Sequence, residues 1–203
     1  MAEASPIAHS VPNLHGERVV LRVWRRDDAP AMFENFSDPT FMRYWSRAVY
    51  ADVGEVRSYL DLQLADLERF EFYPWAITLQ DDDKPIGNCT LFGIDRDNRR
   101  CLLGYGLTPA LHGRGLAGEA VKLAISFAFD ELGLDRIEAD IDPCNEPSWR
   151  LVERLGFRRE HLLRPRWYVS RETVNLVPSG LMKPDPRQDS RSSLRGIARR
   201  IHA

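Results

Sequence analysis

Three cysteines, Cys89, Cys101 and Cys144, are scattered over 203 residues. An odd, dispersed set fits reduced thiols in a cytoplasmic protein, and neither a disulfide framework nor a zinc site. Charge of one sign is missing too: 28 Lys and Arg face 30 Asp and Glu, a formal net charge of −2. That balance gives no general electrostatic case for nucleic acid. No apolar run approaches the length of about eighteen residues that a membrane span needs, and the first residues lack the basic-then-apolar layout of a secretory signal. The histidines show no metal-ligand spacing, so no metal is expected. Apolar residues make up 43% of the chain, which provides a normal core for one domain with a tail.

What stands out is Leu107 to Ala120, LTPALHGRGLAGEA. An apolar segment, Leu102 to Leu107, runs into it, and an apolar helix from about Leu116 to Leu132 runs out. Between them lies a glycine-rich turn, His112, Gly113, Arg114, Gly115, Leu116, Ala117 and Gly118. The first N–H groups of a helix lack internal partners and sit at the positive end of its dipole, so they suit a phosphate. Gly113 and Gly115 permit close approach, and Arg114 adds a positive charge. The turn is read as a pyrophosphate cradle. It is not a P-loop, since no Lys-Ser/Thr pair follows. The spacing Gly113, Gly115, Gly118 lacks the preceding strand unit and acidic residue of a dinucleotide fingerprint.

Residues 1–13 read as a loose lead-in, 14–182 as the domain and 183–203 as a Pro/Arg/Ser-rich basic tail with six Lys/Arg against two Asp. Arg18–Trp24 predicts a strand. A helix capped by Asp27 or Asp28, with Pro30 in its first turn, follows to about Ser37. Asp52 and Glu55 form a capping-box pattern ahead of Val56, Leu60, Leu64 and Leu67, a helix to about Arg69. Strands over Pro74–Leu79, Ile86–Ile94 and Arg100–Leu107 form a meander, with the acidic Asp81–Pro85 as a solvated turn. After the apolar helix, Arg136–Asp142 alternates as a strand. A helix over Pro147–Leu155 ends at Gly156, with Phe157 placed for a Schellman stop. Phe157–Leu163 and Thr173–Met182 are the last strands. The order predicts one mixed α/β sheet with helices on both faces.

Four segments together carry a family likeness. They are Leu103-Gly104-Tyr105-Gly106-Leu107 with His112 to Ala120, Asp142-Pro143-Cys144-Asn145-Glu146-Pro147-Ser148, Leu155 to Glu160, and Leu21 to Trp24 with Asp27-Asp28-Ala29. In this order the chain resembles the GCN5-related N-acetyltransferase (GNAT) superfamily, and within it the ribosomal-protein alanine N-acetyltransferase-like group, over about Leu14 to Met182. The likeness implies the GNAT acyltransferase fold with splayed central strands, and acetyl-CoA as cofactor. It implies an acetyl group moved to a primary amine, of a protein N-terminus or a small molecule, by direct attack through a tetrahedral intermediate. His112 stands where the family has Gln or Arg, which leaves a backbone-donor role intact.

Mapped by the resemblance, backbone groups of Gly113 to Gly118 hold the pyrophosphate. Tyr105, Gly106 and Leu107 pair with the pantetheine arm as an added strand would. A bulge near Gly104 or Gly106 would free an N–H for the oxyanion. Asn145 matches the family's cofactor-contacting Asn; a helix N-cap is a compatible second role. Ser148 matches the Ser near the sulfur, as hydrogen-bond donor or general acid to the thiolate; a first-turn hydroxyl bonding backbone is the competing role. Tyr105 reads as a sheet aromatic rather than an acid, and Glu119 as structural. No general base is identified, Asp140 being the least unsuitable carboxylate. The acceptor is expected opposite the cofactor, where Trp24, Tyr44 and Trp45 either shape a pocket wall or pack in the core. A non-catalytic acyl-CoA sensor or scaffold is the alternative, a basic tail reading nucleic acid a third, and a homodimer stays open.

Overall fold

The computed structural model describes residues 11–67, 72–160, 164–169 and 172–184. Its strands are β1 (Leu14–His15), β2 (Val19–Val23), β3 (Phe72–Leu79), β4 (Asp82–Asp95), β5 (Arg100–Leu107), β6 (Arg136–Ile141), β7 (Arg158–Arg159), β8 (Arg164–Val169) and β9 (Glu172–Met182). Its helices are α1 (Ala29–Phe36), α2 (Pro39–Met42), α3 (Val53–Asp66), α4 (Leu116–Ser126) and α5 (Glu146–Arg154). The sheet runs β1-β2-β3-β4-β5-β6-β9-β7, and β8 pairs with the first half of β9. Every pairing is antiparallel except β5 with β6.

Side-chain alternation along the strands sends successive residues to opposite faces, and each face carries its own core. Trp75 and Ile77 of β3, Leu103 and Leu107 of β5 and Ile137, Ala139 and Ile141 of β6 pack with α4 and α5. Ala76 packs on the other side with α1, α2, α3 and the aromatic residues Phe36, Phe41 and Tyr50. The mixed sheet with helices on both faces is therefore as the sequence predicts.

Helix ends follow local chemistry, with instructive departures. Asp52 accepts from Glu55 N–H at 3.0 Å and caps α3, while the Glu55 carboxylate takes the Ala51 N–H rather than that of Asp52. At α5, Gly156 (φ +95°) and the bonds Phe157 N–H to Val152 O and Gly156 N–H to Glu153 O, both 3.0 Å, form the expected Schellman stop. Asp28 does not cap α1. It is drawn instead to Arg22, whose guanidinium it accepts twice at 2.7 Å. The long apolar helix is α-helical only to Ser126 and closes through a π-helical turn over Phe127–Glu131. The acidic turn predicted over Asp81–Pro85 is exposed through Lys84 but shorter than expected: β4 begins at Asp82, and Asp83 binds Arg22 and Arg25. Strands β1 and β8 are unanticipated, and the strand predicted over Phe157–Leu163 is reduced to β7, with residues 161–163 outside the described part. Residues 1–10 of the lead-in, 68–71 at the predicted end of α3 and all of the tail beyond Pro184 also lie outside it.

Candidate active site

β5 and β6 run side by side only briefly. Arg100, Cys101 and Leu102 face Arg136, Ile137 and Glu138, and no pairing follows although β5 continues to Leu107 and β6 to Ile141. The parted halves leave backbone groups unclaimed. Thr108 N–H donates to Ile86 O of the β4 side at 2.8 Å, and Arg99 O accepts from Asp135 N–H at 2.7 Å on the β6 side. By strand alternation the even-numbered peptide groups of β5 face β4 and the odd-numbered ones face β6. Leu103 still borders the last pair, Leu102 with Glu138, and Tyr105 and Leu107 thus present their N–H groups to the opening.

Two expectations change as a result. Gly106 points its peptide at Asn88 of β4 and is not available to an arm lying in the gap. No register shift occurs at Gly104 or Gly106; the irregularity lies opposite, between Phe92 and Asp95 on β4. The free donors come from strand parting, not from a bulge. Gly106 has a different reason to be glycine: a Cβ there would lie 2.9 Å from Phe41 and 3.1 Å from Trp45.

At the mouth of the gap sits the N-terminus of α4. Gly115 is its N-cap with φ +79°, a left-handed conformation costly for other residues, and it offers no side chain to the first N–H groups. Gly113 shares that conformation at φ +76°, and a Cβ on Gly113 or Gly118 would meet nothing within 4 Å. Leu116, Ala117 and Gly118 contribute the opening N–H groups of the helix, with space in front of them. Arg114 is exposed beside them. The turn is braced from behind: Arg18 donates to Arg114 O at 2.9 Å and to the Glu119 carboxylate at 2.9 Å, which also accepts from the Arg18 N–H. Burial would raise the Glu119 pKa, but these bonds and the Val19 N–H lower it. Glu119 is structural, as read. A diphosphate fits this place by donor geometry, charge and room.

His112 has a specific task. Its Nε2 lies 2.8 Å from Leu107 O, tying the turn to the end of β5. This bond occupies the Leu107 carbonyl and leaves its N–H facing the gap.

On the far side of the opening, α5 supplies Asn145 and Ser148. Asn145 Oδ1 accepts from Ser148 N–H at 3.2 Å, which is the N-cap arrangement. The same carboxamide carries an amide nitrogen for a second contact. The Ser148 hydroxyl lies 2.6 Å from the Tyr105 hydroxyl, so the two residues, 43 positions apart, bridge β5 to α5. Burial pushes the Tyr105 phenol up to about 12, while the Ser148 bond acts in the lowering direction. Tyr105 therefore stays protonated through neutral pH. Sequence reasoning missed this pair. Its trace lay in alternation, which puts Tyr105 on the same face as Leu103 and Leu107, toward α5.

Of the aromatics on the acceptor side, Trp24 is 5% exposed and belongs to the core with α1 and α3, so packing accounts for it. Trp45 is half-buried over Gly106, stacked on Phe41 at 5.8 Å. Tyr44 donates to Cys144 O at 3.1 Å and so joins the segment after α2 to the loop before α5. Glu138 is engaged by Arg136 and Arg100, and Asp142 accepts from Cys144 N–H at 2.7 Å. Burial pushes the Cys89 and Cys101 thiols up to about 12, which removes them from chemistry.

A family model described as an acetyltransferase (GNAT) domain matches residues 18–158. The chain is 35% identical over 171 residues to the uncharacterized N-acetyltransferase p20 of Bacillus licheniformis, covering 84% of this chain and 96% of that protein. It is 26% identical over 172 residues to the spermidine N(1)-acetyltransferase of Escherichia coli K12, covering 85% and 86%. Among solved structures, Mycobacterium smegmatis RimJ in complex with CoA-disulfide superposes with a TM-score of 0.77 at 24% identity, over 85% of this chain and 88% of that one, a likeness of fold. Parted strands, an uncapped glycine-rich helix start and the family match agree: the chain belongs to the GNAT acetyltransferase family.

Proposed function

We propose that the protein is an acetyl-CoA-dependent N-acetyltransferase that moves the acetyl group to a primary amine, of a protein N-terminus or a small molecule, by direct attack on the thioester carbonyl. The observation that carries this reading is the gap between β5 and β6 with the bare N-terminus of α4 at its mouth. Peptide groups at Gly113–Gly118 hold the diphosphate, those of Tyr105 and Leu107 pair with the arm, and Asn145 contacts it from α5. Acetyl-CoA supplies the activated acyl group. The chain contributes alignment, a peptide N–H facing the gap for the developing oxyanion and the Ser148 hydroxyl for the departing sulfur.

The acceptor side is lined by Trp45 and Tyr44. The relative that acts on spermidine sets a polyamine against a protein N-terminus as acceptor. Glu138 and Asp142, on either side of Asp140, are both engaged, and this favours a second reading, a non-catalytic acyl-CoA sensor. One experiment addresses both. Calorimetry with acetyl-CoA on wild type and Gly115→Glu should show binding in the first and loss in the second, by like charge and bulk. Thiol release over a panel of peptide N-termini, polyamines and small amines should then show turnover. Unchanged affinity in a folded Gly115→Glu variant would remove the cradle; binding without turnover on any amine would favour the sensor.

A further inference from the structure

The short contact between Tyr105 and Ser148 joins β5 to α5 beside the gap in which the transfer reading above lays the thioester. Ser148 stands at the third position of α5, with its N–H given to Asn145 Oδ1 at 3.2 Å. Its hydroxyl could turn to several acceptors, including its own helix, as serines in a first turn do. Tyr105 Oη lies 2.6 Å from Ser148 Oγ and 3.4 Å from Ser148 O, so the hydroxyl contact is the real bond. Tyr105 itself is fixed. Its backbone lies in β5, opposite Cys89 of β4, and its ring is packed against the core with α4 and α5.

The direction of the bond follows from chemistry. Ser148 has one hydroxyl proton, and if it goes to a thiolate the 2.6 Å contact can only be a bond donated by Tyr105. Tyr105 can only be that donor if it keeps its proton, and its burial ensures this. We infer that Tyr105 is the positioning residue for Ser148: it donates to Ser148 Oγ and so aims the serine O–H at the leaving sulfur. This rests on the transfer reading above. In the step concerned the amine nitrogen forms the C–N bond, the C–S bond breaks and its electron pair stays on sulfur. The Ser148 O–H donates a hydrogen bond to that sulfur. The proton lost by the amine passes to solvent, and the thiolate takes its proton from solvent. No proton leaves Tyr105, which is too weak an acid to supply one.

The test uses two readouts on wild type, Tyr105→Phe, Ser148→Ala and the double variant. Phenylalanine keeps the ring and removes only the hydroxyl. The first readout needs no turnover: calorimetric affinity for CoA from about pH 7 to about pH 10, where thiols titrate. A serine aimed at sulfur favours the bound thiolate, so wild-type affinity should rise with pH, and the rise should shrink equally in both single variants and no further in the double. The second is turnover with the best amine found. Tyr105→Phe should lower kcat about tenfold with KM for acetyl-CoA within about twofold, and should cost nothing more in the Ser148→Ala background. Independent, multiplying losses in the double variant would overturn the inference, as would a pH-dependence of CoA affinity unmoved by Tyr105→Phe. If wild type binds CoA but acetylates no amine, the transfer reading falls while the CoA titration still decides the role of Tyr105.

Discussion

Ser148 and Asn145 are the polar side chains proposed for the chemistry, whereas Glu119 is held in the scaffold by Arg18. Ser148→Ala should slow turnover without abolishing it, since positioned acid–base or hydrogen-bonding groups contribute about 10²–10⁴-fold at most; single-turnover rates would check this, and an unchanged rate would remove Ser148 from the mechanism. Glu119 belongs to the scaffold, locking the start of β2 to α4 through Arg18. Its pKa is lowered in the fold, so its contribution is complete above the ordinary carboxylate value of 4.5 and is lost as pH falls through the folded value. Glu119→Gln should cost about 1–2 kcal/mol at neutral pH, discounted because Arg18 is half exposed. The gap in Tm to wild type should close in acid; a gap constant down to pH 3 would exclude the carboxylate charge as its cause. The places of Asn145 and Ser148 at the head of α5 and of the glycine turn before α4 were legible in the sequence because they lie in short motifs. The Tyr105 bond and the Arg18 brace were not, because they join residues 43 and about 100 positions apart.

At the scale of elements, local signals placed most boundaries and left the register open. β5 was readable to its ends, and Gly156 and Phe157 announced the stop of α5. That β5 and β6 part after Leu102 depends on where each strand is fixed by its outer neighbour, β4 on one side and β9 on the other. No window of sequence contains that information. The same long-range fit explains Gly106, read as a cofactor contact and found beneath Phe41 and Trp45. Gly106→Ala should push those two rings outward, because its Cβ would stand 2.9–3.1 Å from them. The expected result is KM for the amine raised about tenfold, with calorimetric affinity for acetyl-CoA unchanged. An equal loss on both substrates would mean that Gly106 serves the cofactor after all.

Across the whole molecule, the site lies at the centre of the sheet, and stability can be altered well away from it. Arg22 of β2 is 3% exposed, and its guanidinium donates to both oxygens of Asp28, to the carboxylate and carbonyl oxygen of Asp83 and to Val23 O. Those five bonds use all five of its donors. Desolvation opposes the Arg22 charge, and Asp28 and then Asp83 more than offset it. The cluster joins β2, the start of α1 and the β3–β4 hairpin. Asp28→Ala would leave the buried guanidinium with one charged partner, Asp83, whose side chain is 61% exposed, beside the carbonyl oxygens of Val23 and Asp83. The loss should be about 3–5 kcal/mol, or roughly 6–20 °C in Tm for a chain of this size. Arg22→Met with Asp28→Leu should recover most of it, because an apolar pair needs no ionic compensation. Since neither residue touches the parted strands or α5, the surviving folded fraction of Asp28→Ala should keep the wild-type kcat at low temperature. A fall in kcat beyond the folded fraction measured in the same sample would mean that this edge of the sheet controls how far β5 and β6 stand apart.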